Sequence, residues 1–185
     1  MTQLTGFVGA GLTKMLRSRH DGLVVEHLLP KSNEDDMAPM AQRLWKAGNA
    51  VAVWMYRRTG GKVGGRAKGG SPVLLLTVAG RRSGIPHTVP VAYVERDGVY
   101  FLAATAGGQP REPQWVRNLR AASTATIEVG REKRSMSVEV LRGTKSDEAW
   151  KDIIVATYPS FAPYEAKSGR SIAVARLSPF DSASL

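Results

Sequence analysis

Cysteine is absent from the 185-residue chain. That excludes a disulfide framework, thiolate-held zinc or iron–sulfur, and a thiol nucleophile. Histidine is scarce, with three spread over the chain, so no metal site is expected. Long apolar runs are lacking too. The longest strongly apolar stretch is Val73–Ala79, with Thr77 inside it, whereas a membrane span needs about 20 residues. In Met1–Leu16 the lysine, Lys14, follows the apolar part, the wrong order for a secretory signal. The expected location is the cytoplasm. Acidic residues are few for the number of basic ones: 16 Asp and Glu against 26 Lys and Arg, a net charge of +10. Such a surplus favours an anionic partner: nucleic acid, a phosphate-bearing cofactor or a membrane surface.

What is present reads as a globular domain. Apolar residues make up 43% and charged residues 23%, and the length suits one domain. Residues 1–35 read as an N-terminal extension and 36–185 as the domain. A helix is predicted over Asp36–Arg58, where Met37, Met40, Ala41, Leu44, Gly48, Val51, Ala52 and Met55 recur at three- and four-residue steps. Asn33 or Asp35 can cap it, and Gly60-Gly61 stops it. Trp54 lies off the stripe's centre. The helix therefore reads either as a core-packing element or as a basic amphipathic one that touches a membrane surface or closes over a substrate. Gly60–Gly70 follows as a glycine-rich loop with Lys62, Arg66 and Lys68 and no acid. It lacks the Gly-Lys-Ser/Thr ending of a Walker loop, and it reads as a flexible basic loop or an anion contact.

From Pro72 the period changes to that of strands. Val73–Ala79, Thr88–Glu95 and Val99–Thr105 are strand-like, with Asp97-Gly98 as a hairpin turn. A short helix is predicted over Glu112–Arg120. A second hairpin comprises Thr124–Val129 and Lys133–Leu141, a helix runs over Thr144–Thr157, and Ile172–Leu177 closes as a strand. Strands joined by two-residue turns are antiparallel. The expected class is α+β, a small antiparallel barrel with helices packed against it.

Two constellations carry chemistry. In Gly80-Arg81-Arg82-Ser83-Gly84-Ile85-Pro86-His87-Thr88-Val89-Pro90, two arginines and a serine sit at a strand-to-strand turn flanked by glycine. Turn amides can converge on an anion, and arginine's forked donors match phosphate oxygens; a solvated basic turn is the plainer reading. Tyr158-Pro159-Ser160-Phe161-Ala162-Pro163-Tyr164 places three aromatics in a proline-broken stretch. They fill a core gap or line a pocket for a flat ligand.

Read together, these segments resemble the deazaflavin-dependent nitroreductase family of the flavin/deazaflavin oxidoreductase superfamily. The similarity covers about residues 40–180. It includes Leu74–Pro90, Ala103-Ala104-Thr105-Ala106-Gly107-Gly108, Pro113-Gln114-Trp115-Val116-Arg117-Asn118-Leu119, Tyr158–Tyr164 and Arg170–Pro179. The resemblance implies a split β-barrel of the FMN-binding-like kind and coenzyme F420, a deazaflavin with a phosphodiester and an acidic tail. By match, Arg82, Ser83 and Gly84 would cradle the phosphate, and Arg81 beside them in the chain would be a further cofactor contact. His87 stands where relatives carry Arg, which makes that contact weaker or pH-dependent. Thr88, Val89 and Pro90 would run along the ring, Thr105 would stand near ring and substrate, and Trp115 and Asn118 would flank the cofactor. Lys62, Arg66 and Lys68 are candidates for the acidic tail on charge alone. Trp54, Tyr158, Phe161 and Tyr164 would face the substrate; Phe161 replaces a tyrosine of the best-known relatives.

The implied reaction is hydride transfer from reduced F420 to an electron-poor acceptor such as a quinone, enone or nitro compound. Tyr158, Tyr164 or Thr105 would supply the proton. FMN on the same barrel is the rival cofactor, and cofactor carriage without catalysis is the rival role. Peripheral membrane contact through the N-terminal region is compatible with either. A nucleic-acid partner is not expected, because the basic residues cluster at turns and no recognition motif appears.

Overall fold

The computed structural model describes residues 39–67 and 69–180. The expected N-terminal extension, the Asn33 or Asp35 cap and Lys68 lie outside them. Six strands are present: β1 (Val73–Ala79), β2 (Pro86–Arg96), β3 (Val99–Ala103), β4 (Thr124–Val129), β5 (Glu132–Val140) and β6 (Val174–Ser178). They close into a barrel in the order β1-β2-β3-β6-β5-β4, antiparallel at every pairing. The alternation of side chains across each strand fills the interior with Leu74, Leu76, Val78, Val91, Tyr100, Leu102, Ile127, Met136 and Leu177. Each such side chain contributes roughly 1.5–3 kcal/mol on burial. β1 is covered on its outer side as well, where Val73 and Leu75 meet Val53 and Tyr56. This explains why it reads as an unbroken apolar run rather than an alternation.

Helix α1 (Pro39–Thr59) packs across this outer side. The buried positions are Ala52, Val53 and Tyr56, whereas Val51 is 56% exposed. The docking face is thus rotated from the stripe predicted through Val51 and Met55. Tyr56 decides the register, since its ring fills the gap and its hydroxyl has backbone partners. It donates to the Val73 carbonyl at 3.0 Å and accepts the Gly130 N–H at 2.9 Å. Arg57 adds a forked ion pair to Glu128 at 2.6 and 2.8 Å.

Helix α2 (Gln114–Leu119) lies below β1 and β5. Helix α3 (Thr144–Glu148) continues as a wider π-type turn through Val155, burying Trp150 and Ile154. A single 3-10 turn over Pro159–Phe161 leads into α4 (Pro163–Ser168). These pieces bury a second cluster, Val94, Phe101, Trp150, Ile154, Phe161 and Val174, on the outer side of β2, β3 and β6.

β2 is the strand that shapes the site. Its first half, Pro86–Ala92, pairs with β1, and its second half, Tyr93–Arg96, pairs with β3. The first half therefore has one edge that joins no strand. Pro86 and Pro90, which cannot donate to a ladder, stand in that half.

Candidate functional site

The turn between β1 and β2 is held at both ends. The Gly80 N–H donates to the Ile85 carbonyl at 2.8 Å and the Gly84 N–H to the Gly80 carbonyl at 2.7 Å. Gly84 has φ +69°, a conformation costly for other residues. Helix α2 locks the turn from one side. Asn118 is buried, and its Oδ1 accepts the Arg81 backbone N–H at 3.3 Å and the Arg81 guanidinium at 3.2 Å. Gln114 Oε1 accepts the same guanidinium at 2.8 Å. Asn118 and Arg81, read from the sequence as cofactor contacts, thus build the turn. Arg82, Ser83 and His87 are exposed on it.

Gly80 brings two of these groups together. A Cβ placed there would stand 2.7 Å from Ser83 Oγ and 3.0 Å from His87 Nε2. The hydroxyl and the imidazole converge above bare backbone, with Arg82 beside them in the chain. No carboxylate occurs between Gly80 and Val94. This donor set suits an anion.

Along β2 the expected ring contacts separate. Thr88 is half-buried, its Oγ1 2.8 Å from Thr77 Oγ1 across the ladder, and its carbonyl accepts from Asn49 of α1 at 2.8 Å. Pro90 is half-exposed. Val89 packs against the barrel interior, because alternation turns its side chain inward, and its backbone stands opposite Leu76 in the ladder with β1. Trp115 packs one side against the interior cluster and is half-buried. Thr105 follows β3 and is half-buried.

The aromatic trio forms one contact chain. Phe161 lies 6.3 Å from Tyr158, 5.7 Å from Tyr164 and 6.5 Å from Trp150, ring centre to ring centre. Phe161 is 7% exposed, so it is the core member and offers no open face to a substrate. Tyr158 and Tyr164 are half-buried on the same cluster. The glycine-rich loop reaches this segment, since a Cβ on Gly69 would meet Ser160 Oγ at 2.2 Å.

Two expected residues stand elsewhere. Lys62 lies before β1, at the end away from the Gly80 turn, and β1 is about 20 Å long at ~3.3 Å per residue. Trp54 is 64% exposed and lines a groove of about 580 Å³ with Ala50, Val53, Arg57, Arg58 and Arg131, apart from the aromatic trio. Among the described residues no helix is long and apolar enough to cross a membrane.

Three residues that brace the candidate site were not singled out by the sequence reading. Asn49 and Gln114 signal themselves only as polar residues in helices. Arg170 donates to the Ala104 carbonyl at 2.7 Å and lies over the loop that carries Thr105; it opens the Arg170–Pro179 segment of the resemblance, to which no role was attached. Burial lowers its pKa from the ordinary arginine value, with Glu112 acting in the opposite direction.

A family model described as F420H(2)-dependent quinone reductase matches residues 49–179. The chain is 30% identical over 122 residues to a Mycobacterium tuberculosis protein named F420H(2)-dependent quinone reductase Rv1261c, covering 65% of this chain and 82% of that one. Among solved structures, one titled as an F420-H2 dependent reductase (FDR-A) matches with a TM-score of 0.51 and 33% identity, over 57% of this chain and 93% of its own. A second, titled as a domain-swapped dimer, matches with a TM-score of 0.53 and 26% identity, over 71% and 97%.

Proposed function

The chain belongs to the F420H(2)-dependent quinone reductase family and is an F420-dependent oxidoreductase; from that premise we propose that the Gly80–Pro90 segment holds the cofactor and that a quinone is its acceptor. The convergence of Ser83 Oγ and His87 Nε2 above Gly80 carries this reading. A hydroxyl and an imidazole, with the exposed Arg82 on the same turn, fit a phosphodiester, and the absence of carboxylates from Gly80 to Val94 leaves that anion unopposed. Family membership lends no support to the FMN alternative.

When bound, the reduced deazaflavin supplies a hydride to the acceptor. The chain holds it by the Gly80 turn and by the β2 edge from Pro86 to Ala92, where backbone groups face no strand. Tyr158 and Tyr164 offer ring faces to a flat quinone, with Phe161 behind them as support. Reduction of a quinone by one hydride leaves an oxyanion that takes one proton. On this reading the Tyr164 or Tyr158 hydroxyl, or Thr105 Oγ1, gives it.

Oxidation of reduced F420 by a soluble naphthoquinone, followed by absorbance, tests the reading. Tyr164→Phe keeps the ring. If Tyr164 gives the proton in the slow step, turnover falls about 10²–10⁴-fold; if it only positions the quinone, turnover stays near the wild-type value. Tyr164→Ala raises the quinone KM in either case while F420 affinity stays unchanged. Loss of F420 affinity in Tyr164→Ala, with acceptor kinetics intact, would remove the tyrosine from the acceptor side.

The Trp54 groove favours a second contact. An exposed tryptophan beside Arg58 and Arg131 matches the amphipathic pattern of an interfacial helix. Vesicles containing phosphatidylglycerol should sediment the protein, and Trp54→Ala should reduce this. Equal sedimentation with neutral phosphatidylcholine vesicles would contradict it.

A further inference from the structure

Arg170 lies between α4 and β6, and its side chain is spent on backbone oxygens. Nη2 donates to the Ala104 carbonyl at 2.7 Å, Nε to the Gln109 carbonyl at 3.4 Å and Nη1 to the Ser171 carbonyl at 3.3 Å. Its own backbone N–H reaches Ser168 Oγ at 3.4 Å. The first two carbonyls bracket the loop Thr105–Gly108. Within that loop three successive residues are left-handed: Ala106 at φ +47°, Gly107 at +64° and Gly108 at +82°. For Ala106, whose Cβ crowds the carbonyl in this region, that conformation is unfavourable and has to be held by its surroundings.

The loop bonds to itself, the Gly108 N–H to the Thr105 carbonyl at 2.8 Å and the Gln109 N–H to the Ala106 carbonyl at 3.2 Å, and side chains hold it from one side. The alkyl stem of Lys167 lies across Gly108, where a Cβ would stand 2.5 Å from Lys167 Cδ. Lys167 belongs to α4, which also carries Tyr164. One short helix and the two residues after it thus join Tyr164 to the loop that carries Thr105. A half-buried cation is costly to desolvate; if Arg170 merely filled space, an apolar side chain would do so without that cost. Its forked donors instead match two carbonyls separated by the loop they bracket, a geometry a single ammonium cannot reproduce.

We propose that Arg170 is a positioning residue for the acceptor. By bridging the Ala104 and Gln109 carbonyls it fixes the Thr105–Gly108 loop, left-handed from Ala106 to Gly108, against α4, and so sets the place of Thr105 relative to Tyr164. This rests on the functional reading above, in that the acceptor stacks on the Tyr164 ring with Thr105 near it. The ordering of the loop itself does not depend on it.

Full-length wild type, Arg170→Lys, Arg170→Ala, Thr105→Ala and the Arg170→Ala/Thr105→Ala double variant are compared. Amide hydrogen exchange across residues 104–109 is measured without cofactor or acceptor. It should speed up in Arg170→Lys while the barrel strands keep wild-type protection. In the quinone assay the KM should rise about tenfold to a hundredfold in both Arg170 variants, with F420 Kd within about twofold of wild type. Millimolar guanidinium should lower the KM of Arg170→Ala and leave wild type unaffected. In the double variant the KM should equal that of Thr105→Ala, because the two residues act through one position. If Arg170→Ala does not fold, Arg170→Lys carries the test by exchange and KM. Unchanged exchange at 104–109 overturns the proposal, as does an unchanged KM in an otherwise active Arg170→Lys enzyme. A wild type that oxidises no reduced F420 with any quinone overturns the functional reading, and exchange then decides on the loop alone.

Discussion

At Gly80 the lack of a side chain lets a hydroxyl and an imidazole meet over the backbone, and small substitutions there have direct consequences. Gly80→Ala would drive a methyl to 2.7 Å from Ser83 Oγ. Arg82 has a different part, as an exposed charge on the same turn. Arg82→Ala should cost about 1.5–3 kcal/mol of F420 binding, roughly tenfold to a hundredfold in Kd. Turnover at saturating cofactor should stay close to wild type, since the contact serves ground and transition states alike. His87→Arg, which installs a permanent forked cation, should lower the Kd. Fluorescence titration of the three proteins checks both, and an unchanged Kd in Arg82→Ala would show the guanidinium pointing to solvent. The sequence made the turn legible, because glycine, arginine and serine at a strand junction have few other uses. It did not separate Arg81 from Arg82. That difference depends on Gln114 and Asn118, more than thirty residues away, whose amide groups meet Arg81 only after α2 docks. Phe161 shows the same limit, since spacing cannot tell which of three aromatics faces inward.

Strands were easier to read than helices, because their boundaries are marked locally by glycine turns and their period is strict. β1 and β4 have the bounds expected from sequence, and the remaining strands differ by one to a few residues at their ends. Helix α1 was found, but its face was misjudged, because hydropathy gives little weight to a tyrosine that buries its ring and pairs its hydroxyl. Tyr56 joins α1 to β1 and to the β4–β5 turn through Val73 and Gly130. Tyr56→Phe leaves both backbone groups unpaired, and the expected loss is about 1–3 kcal/mol in denaturant unfolding. Burial, the largest cause, holds the Tyr56 pKa above its usual 10.0; the Gly130 N–H opposes it and Glu128 adds to it. The unfolded chain therefore ionises first as pH rises. This contribution is whole below the unfolded value and is lost as pH climbs through the folded one. The gap between wild type and Tyr56→Phe should thus narrow above about pH 10. A gap that stays constant or widens would show the hydroxyl ionising no later than in the open chain.

For the molecule as a whole, closing the sheet removes free edges except where β2 turns from one partner to the next. The first half of β2 faces β1 on one side and no strand on the other, and the candidate site lies along that gap. The barrel followed from counting hairpins; the gap did not, because it depends on where β3 stops pairing. The net charge of +10 acts over the same scale. It should draw a long polyanionic cofactor to the protein and weaken that attraction as salt screens it. FMN, whose charge ends at a terminal phosphate, gains less from such a field. The most direct test of the account is a tryptophan-fluorescence titration of the full chain with F420 and with FMN, each at low and high salt. The account predicts F420 binding at least about tenfold tighter than FMN at low salt, with the F420 affinity falling as salt is raised. FMN binding equal to or tighter than F420 at low salt would contradict it.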